Sequence, residues 1–383
     1  MEYINQKPKW PNFTWNHDAL ARRLAEVRFH QGLLLGRMKS LGFDLRSQAA
    51  LNTAVSEVIK SSAIEGEFLD PNKVRSSVAR HLGLETGGKV VAGRDVEGIV
   101  EVMTDATRRF REPLTATRLF AWHAALFPTG RSGITTITAG AWRTDERGPM
   151  RVLSGPMGRG KEHFQVPHAE RVDTEMSRFL DWFNNEEGTD PVLKAGTAHF
   201  WFVTIHPFDD GNGRIARAIA DMLLARADGI ADRFYSMSSQ IESERTEYYR
   251  QLEAQQRGDI DLTPWLQWFI ECLDRSFDRA GASLEHVVYK GWVRHAIGTM
   301  SANERQRTVV ERMMDRFQGY LNTSKYARMA KCSTDTALRD IRDLVEHGIL
   351  VRNPGGGRST SYRLASTGEV ERIGDVEMVI DPA

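Results

Sequence analysis

Residues 206–217 of the 383-residue chain read His-Pro-Phe-Asp-Asp-Gly-Asn-Gly-Arg-Ile-Ala-Arg. Apolar residues recur at helical spacing on both sides of this stretch, in segments 192–205 and 215–227, which predicts two helices. Pro207 ends the first helix, and the glycine-containing run allows the second to begin at about Asn212. The sequence therefore predicts two consecutive helices joined by a short, polar turn.

The glycine-rich part of this turn predicts an anion site. Gly211 and Gly213 let the backbone N–H groups of this run, including that of Asn212, approach a ligand closely. At a helix start those unpaired donors and the helix dipole attract anions. Arg214 and Arg217 share one face of the same helix near its start, where the dipole disfavours cations, so an anion should compensate them. A glycine loop alone would also fit a simple helix cap, but the two arginines favour phosphate.

Two further side chains indicate reaction chemistry. Asp210 is placed to hold a Mg²⁺ ion that bridges phosphate oxygens, although a lone aspartate here also fits a helix N-cap. His206 has an imidazole suited to accept a proton from an attacking hydroxyl, although a lone histidine is more often a core residue. Together these residues predict the transfer of part of a nucleotide to a hydroxyl group.

The string resembles the signature of the Fic family, which reads His, any residue, Phe, any residue, Asp or Glu, Gly-Asn-Gly-Arg, two residues, Arg. Every fixed position is present. The resemblance implies transfer of AMP from ATP to a Ser, Thr or Tyr hydroxyl of a protein, the chain itself included. It also implies that His206 is the base, that Asp210 holds Mg²⁺, that residues 211–213 cradle the phosphates, and that Arg214 and Arg217 clamp them.

A second segment resembles the inhibitory motif of the same family, which reads Ser or Thr, three residues, Glu, then Gly or Asn. Residues 60–66 read Lys-Ser-Ser-Ala-Ile-Glu-Gly, so the motif begins at Ser61. The amphipathic helix predicted here is capped by Gly66, which leaves Glu65 at the negative end of the helix dipole, where a carboxylate needs a cation. The resemblance implies that Glu65 pairs with Arg217 and prevents productive placement of the ATP γ-phosphate. The alternative is a solvated glutamate at a helix end.

Residues 150–154 and 163–166 predict two short strands joined by a turn at 155–160, with an ordinary surface loop as the alternative. By the resemblance, this hairpin is the family's flap, which holds a target segment by strand addition, and Ser154 and Gly155 contact the nucleotide. Three further positions resemble those that line the adenosine pocket, namely Tyr248, Tyr249 and Gln256. The tyrosine pair also fits ordinary helix packing.

The whole chain predicts a mainly α protein with three domains. A helix over 262–277 is expected to close the catalytic domain. The predicted domains are an N-terminal helical domain with the inhibitory motif (1–92), a Fic-type helical core with the β-hairpin flap (93–283), and a winged-helix domain with the tail (284–383). The last assignment rests on predicted helices at 304–317, 324–330 and 334–347, followed by a strand, a glycine turn and a strand.

Composition limits the partners. Lys+Arg and Asp+Glu both total 51, so no global field attracts the chain to nucleic acid or to an anionic membrane. The third helix of the predicted winged helix mixes Arg339 and Arg342 with acidic residues, which favours packing, homodimer formation or target docking over DNA binding. A DNA-binding regulator with a nucleotide-sensing site, and removal of AMP at the same site, are the alternative functions. Two isolated cysteines, no signal peptide and no membrane-spanning run predict a cytoplasmic protein.

Overall fold

The structure is a computed structural model that describes residues 2–84, 92–146, 148, 150–154, 161–315, 317, 319–354 and 360–366. Within these residues the chain is mainly helical, as predicted, with three two-stranded antiparallel hairpins. In chain order the helices are α1 (His17–Lys39), α2 (Phe43–Ile64), α3 (Pro71–His81), α4 (Arg94–Arg108), α5 (Ala116–Leu126), α6 (Ala169–Asn185), α7 (Pro191–Ile205), α8 (Asn212–Asp228), α9 (Met237–Ser243), α10 (Arg245–Gln256), α11 (Thr263–Thr299), α12 (Glu304–Asp315), α13 (Thr323–Ala330) and α14 (Thr334–Glu346). The strands are β1 (Arg131–Ser132), β2 (Thr135–Thr136), β3 (Arg151–Ser154), β4 (Lys161–Gln165), β5 (Leu350–Arg352) and β6 (Tyr362–Leu364).

Helix α7 is the centre of the core that positions the site. All of its residues except Pro191 and Val203 are buried, so it is apolar on nearly every side rather than amphipathic. Gly196 allows α11 to approach closely, because a Cβ there would lie 2.9 Å from Leu266 and 3.0 Å from Phe269. The Trp265 indole N–H donates to the Gly196 carbonyl at 2.8 Å in the same contact. The first half of α7 is thereby packed closely against the start of α11.

The described residues form two compact units, one from 1–39 and 46–281 and one from 40–45 and the residues from 282 onward. Most of the predicted N-terminal and catalytic domains lies in the first unit. The helix predicted over 262–277 is longer than expected, because α11 continues to Thr299 and the predicted boundary at 284 falls inside it. Its one proline, Pro264, lies in the first turn, where proline is tolerated, and its glycines at 281, 291 and 298 weaken a helix without ending it.

The second unit has a small core of its own. Val309, Val310 and Tyr326 are fully buried there, together with Ile341 and Leu344 of α14. Helices α12, α13 and α14 are followed by the antiparallel pair β5–β6, which is the order of elements that the predicted winged helix requires. The winged-helix assignment, DNA binding and homodimer formation stay predictions.

The flap hairpin is present as β3 and β4, paired antiparallel with a register shift between Val152 and Leu153. Its strands agree with the predicted ones to within about two residues at each end. The predicted turn at 155–160, including Gly155, lies outside the described residues. Among the described helices, none combines the length and apolar composition that crossing a lipid bilayer requires.

Candidate active site

The polar turn between α7 and α8, residues 206–211, is called the signature loop below. It begins and ends with a left-handed residue: His206 caps α7 with φ 54°, and Gly211 precedes α8 with φ 78°. A side chain at position 211 would be strained by that backbone angle, and its Cβ would lie 2.8 Å from Phe127. As predicted, α8 begins at Asn212, so its first N–H groups lie at the end of the loop.

The side chain of Asn212 holds the signature loop in shape. Its Oδ1 accepts a hydrogen bond from the Phe208 N–H at 3.0 Å, and its Nδ2 donates to the Phe208 carbonyl at 2.8 Å. Phe208 is fully buried and stacks on His123, with ring centroids 4.1 Å apart and planes within 8°. The Asn212 amide is therefore used inside the protein, which leaves its backbone N–H as its contribution to an anion site.

We expect Asn212→Ala to lower the free energy of unfolding by roughly 2–4 kcal/mol, because it leaves two buried backbone groups of Phe208 unpaired. Urea unfolding followed by tryptophan fluorescence measures this change. Asn185→Ala is the matched control, since the Asn185 side chain donates to Asp181 at the surface and the change should alter stability by less than about 0.5 kcal/mol. Equal losses in the two variants would contradict the bracing role of Asn212.

His206 is held as a neutral imidazole. Its Nδ1 lies 3.2 Å from the Val203 carbonyl, so Nδ1 carries the proton and Nε2 is left to accept one. Burial lowers the pKa of His206 to about 4, although the hydrogen bond to the Val203 carbonyl acts in the opposite direction. At neutral pH the ring is therefore uncharged, with Nε2 free of a proton, which is the form that a general base needs.

Arg143 supports this loop and was not predicted from the sequence. It is 2 % exposed, its Nε donates to the His206 carbonyl at 2.8 Å, and its backbone N–H donates to the Pro207 carbonyl at 2.9 Å. Asp145 lies 3.1 Å from its Nη1. Arg143 stands in a stretch without helical or strand periodicity, so no sequence pattern connects it to a loop more than 60 residues away.

Arg217 is held by the end of α2. Its Nε donates to Ser61 Oγ at 2.9 Å, and its Nη2 donates to the Ser61 carbonyl at 2.9 Å and to Glu65 Oε1 at 2.8 Å. The ion pair that the resemblance implied is thus present, and Ser61 takes part in it. A Cβ at Gly213 would collide with Glu65 Oε1, so this carboxylate lies directly against the first turn of α8. The carboxylate therefore occupies the start of the helix, where an anion was expected.

Arg214 has a carboxylate partner that was not predicted from the sequence. Its Nη1 donates to Glu67 Oε2 at 2.6 Å, and its guanidinium lies over the Phe127 ring at 5.1 Å. Arg214 is 4 % exposed, so its charge is held almost out of water. The only sequence signal was that Glu67 lies two residues beyond Glu65, on the far side of a glycine.

Asp210 and Asp209 face different neighbours. The carboxylate of Asp210 accepts hydrogen bonds from the Gly211 N–H at 2.6 Å and from the Ser132 hydroxyl, whereas Asp209 accepts from the Thr138 N–H at 2.8 Å. The first residue before α8 is Gly211, without a side-chain cap, so Asp210 is not the N-cap of this helix. A single carboxylate beside an anion site fits Mg²⁺, which takes its other ligands from phosphate and water.

The residues predicted to line an adenosine pocket differ in exposure. Tyr248 is 1 % exposed and its hydroxyl lies 2.9 Å from His199 Nε2, so almost none of its surface is available to a ligand. Gln256 is 6 % exposed. Tyr249 is 40 % exposed, and its hydroxyl lies 3.4 Å from Glu65 Oε2. Of the three, Tyr249 has the most surface free for a base. Ser154 is the last residue of β3.

Two family models match the chain. Residues 113–224 match the Fic/DOC family, and this match includes the whole signature loop and the first turns of α8. The chain contains a Fic domain. Upstream of the Fic domain, residues 3–84 match a family described as a domain of unknown function, DUF4172, and this segment carries Glu65 and Glu67.

Curated proteins named protein adenylyltransferases match part of the chain. The chain is 36 % identical over 105 residues to the protein adenylyltransferase Fic of Drosophila willistoni, and this match covers 27 % of this chain and 20 % of that protein. A longer match, 28 % identical over 225 residues, relates the chain to the protein adenylyltransferase fic-1 of Caenorhabditis elegans and covers 58 % of this chain and 40 % of that protein. The chain thus spans between a fifth and two fifths of the length of these relatives.

A solved structure has a similar fold. The crystal structure of a Fic family protein from Desulfovibrio desulfuricans G20 aligns over 94 % of this chain and 99 % of that one, with a TM-score of 0.55 and 19 % identity. The similarity extends over nearly the full length of both chains and concerns their fold.

Proposed function

We propose that this chain is a protein adenylyltransferase that transfers AMP from ATP to a Ser, Thr or Tyr hydroxyl of a protein. The observation that carries the proposal is a neutral His206 imidazole next to a helix start with two buried arginines. The helix start and the arginines suit a polyphosphate, and the imidazole suits a hydroxyl nucleophile. The names of the curated relatives support the same activity.

The residues divide the reaction between them. His206 Nε2 accepts the proton of the target hydroxyl while the hydroxyl oxygen bonds to the α-phosphorus of ATP. The bond from that phosphorus to the bridging oxygen breaks, and pyrophosphate leaves with the electron pair. The N–H groups at the start of α8, with Arg214 and Arg217, bind the phosphate oxygens and stabilise their charge.

Asp210 is the residue that would hold Mg²⁺. Its carboxylate is fixed by Ser132 and by the Gly211 N–H, next to the N–H groups that would bind phosphate. When bound, Mg²⁺ supplies positive charge that offsets the charge on the phosphate oxygens. The same proposal assigns the adenosine base to the side of the site where Tyr249 is exposed, and the target segment to the flap hairpin.

The proposed resting state is inhibited. Arg217 is already paired with Glu65, and the Glu65 carboxylate lies against Gly213, so a phosphate must displace it to reach the helix start. Ser61 strengthens this arrangement because it binds two nitrogens of the same guanidinium. We therefore propose that ATP binds productively only after the turn that carries Glu65 moves away.

The test uses ATP labelled in two positions. The wild-type chain and Glu65→Gly are incubated with Mg²⁺ and ATP that is labelled either at the α-phosphate or at the γ-phosphate, and protein-bound label is counted. Label from the α-position alone supports transfer of AMP. Label from the γ-position would instead mean phosphoryl transfer, and no protein-bound label from either position, even in Glu65→Gly, would refute the proposed activity.

The low pKa of His206 gives a pH prediction. The base works in its neutral form, so its contribution is lost only as the pH falls through about 4 and is complete well above that value. We expect the rate of AMP transfer by Glu65→Gly to be nearly independent of His206 ionisation between about pH 5.5 and 8. Glu65 raises the pKa of His206, so its removal lowers this pKa further and extends the pH-independent range to lower pH. A rate that rises with a midpoint near the ordinary histidine value of 6.5 would contradict this assignment.

A further inference from the structure

The turn that follows α2 carries two carboxylates, and each holds a different arginine of α8. Glu65 Oε1 lies 2.8 Å from Arg217 Nη2, and Glu67 Oε2 lies 2.6 Å from Arg214 Nη1. The two arginine side chains are 5 % exposed or less, whereas Glu67 is 46 % exposed. The arginines are thus built into the protein, and the carboxylates reach them from a surface turn.

Gly66 explains how both carboxylates reach the same helix. It has φ 86°, its N–H donates to the Ala63 carbonyl, and the Glu67 N–H donates to the Ser62 carbonyl, both at 3.0 Å. This is the hydrogen-bonded, left-handed turn that commonly ends a helix, and glycine adopts it at the least cost. The chain reverses at Gly66, so the side chains on either side of it both point to the start of α8.

Stability alone explains the Glu67 pair poorly. Burial raises the pKa of Glu67, against the opposing effect of Arg214, and the charges of Asp210 and Glu65 raise it further. Keeping the Glu67 carboxylate ionised therefore costs free energy, because it is partly buried and lies near Asp210 and Glu65. A neutral side chain of the same size would remove that cost.

The carboxylates also leave the arginines incompletely bonded. Within the described part of the chain, Arg214 Nε and Arg217 Nη1 are buried donors without a hydrogen-bond partner. Buried donors of this kind are unfavourable and are normally satisfied. A polyphosphate offers more acceptor oxygens than two carboxylates, so the arginines are better matched to that ligand than to the glutamates that hold them.

We propose that Glu67 is a second inhibitory carboxylate, which neutralises Arg214 as Glu65 neutralises Arg217, so that a polyphosphate gains both arginines only when both glutamates leave. This inference rests on the proposed nucleotide site, but not on the transfer of AMP. It follows that Glu65→Gly relieves the inhibition only in part, because Arg214 is still paired in that variant.

The experiment measures binding rather than catalysis. The affinity of the full chain for Mg²⁺ and α,β-methylene-ATP, which cannot donate AMP, is determined by calorimetry for wild type, Glu67→Gln, Glu65→Gly and the double variant. Because Glu67 is half exposed, we expect Glu67→Gln to tighten binding by roughly threefold to tenfold, both alone and in the Glu65→Gly background. Adenosine, which has no phosphate, should bind equally to Glu67→Gln and to its parent.

Glu242→Gln is the matched control. It breaks the ion pair between Glu242 and Lys60 of α2, at 3.1 Å, and so loosens α2 without touching Arg214 or Arg217. The inference is overturned if Glu67→Gln leaves affinity for the analogue unchanged or weaker. It is also overturned if adenosine binding tightens as much, or if Glu242→Gln has the same effect.

The outcomes separate this inference from the proposed activity. If Glu67→Gln binds the analogue more tightly than its parent does, but no variant forms protein-bound AMP, the inhibitory role of Glu67 is supported and AMP transfer is refuted. If Glu65→Gly activates AMP transfer but Glu67→Gln does not change the affinity for the analogue, the activity is supported and the inhibitory role of Glu67 is refuted. If no variant binds the analogue, both the proposed activity and the inference about Glu67 are refuted.

Discussion

We expect His206→Ala to reduce AMP transfer by about 10²- to 10⁴-fold, the usual contribution of a positioned general base. The structure gives the reason, because Nδ1 is engaged with the Val203 carbonyl and leaves Nε2 as a neutral acceptor on a ring whose pKa is lowered to about 4. The initial rate of protein labelling from α-labelled ATP measures the effect, in the Glu65→Gly background where activity should be highest. Affinity for α,β-methylene-ATP should change little.

Two further variants make the His206 result specific. His81→Ala is the control, since His81 Nδ1 also bonds to a carbonyl of its own helix, that of Ser77 at 3.0 Å, but lies outside the site. His206→Gly separates loss of the base from backbone strain, because glycine adopts the φ of 54° at this position more easily than alanine does. Both His206 variants should show this loss, and added imidazole should restore part of the activity of His206→Gly. Substantial activity in either variant would exclude His206 as the base.

We expect Glu65→Gly to raise the rate of AMP transfer by about 5- to 150-fold, the range of coupling energies common between linked sites. The variant removes the carboxylate that lies against Gly213 and frees one side of Arg217. Glycine also tolerates the helix end, so the turn should keep its shape. The measurement is the initial rate of labelling at subsaturating ATP, where competition between Glu65 and phosphate has its largest effect.

A surface glutamate gives the control for Glu65. Glu112→Gly removes an exposed carboxylate that pairs with Arg109, and it should leave the labelling rate within a factor of about two. If Glu65→Gly also leaves the rate unchanged while the variant stays folded by circular dichroism, the carboxylate does not inhibit the enzyme. A rise in rate that disappears at saturating ATP would show that Glu65 acts through ATP binding.

The helices around the site could be predicted because their signal is local. The apolar run of α7, the proline after His206 and the glycine before α8 lie close together in the sequence, and α8 begins at the predicted Asn212. The contact between Glu65 and Arg217 spans 152 residues and was reached only through the resemblance to a family motif. Composition and periodicity do not predict contacts between residues so far apart in the sequence.

The remaining site residues escaped prediction for the same physical reason. Arg143 comes from an irregular segment and Ser132 from the two-residue strand β1, and the partners of both are decided by how the loops pack rather than by their own sequence. Tyr248 and Tyr249 are neighbours of one chemical type, yet one is 1 % exposed and the other 40 %, because helix packing buries one face of α10. The contact of Glu67 with Arg214 was equally hidden, since it depends on the reversal of the chain at Gly66.

Because the Glu65 carboxylate lies against Gly213, the start of α8 already has an anionic group supplied by the protein itself. Inorganic phosphate or sulfate offers one anionic group and no adenine, and so gains little by exchanging places with a tethered carboxylate that already lies at the start of α8. A ligand with several linked phosphates and a base offers more contacts and can displace the side chain more readily. If the proposed nucleotide site is correct, we therefore expect simple salts to bind weakly at this helix start and nucleotide to bind there in preference to them.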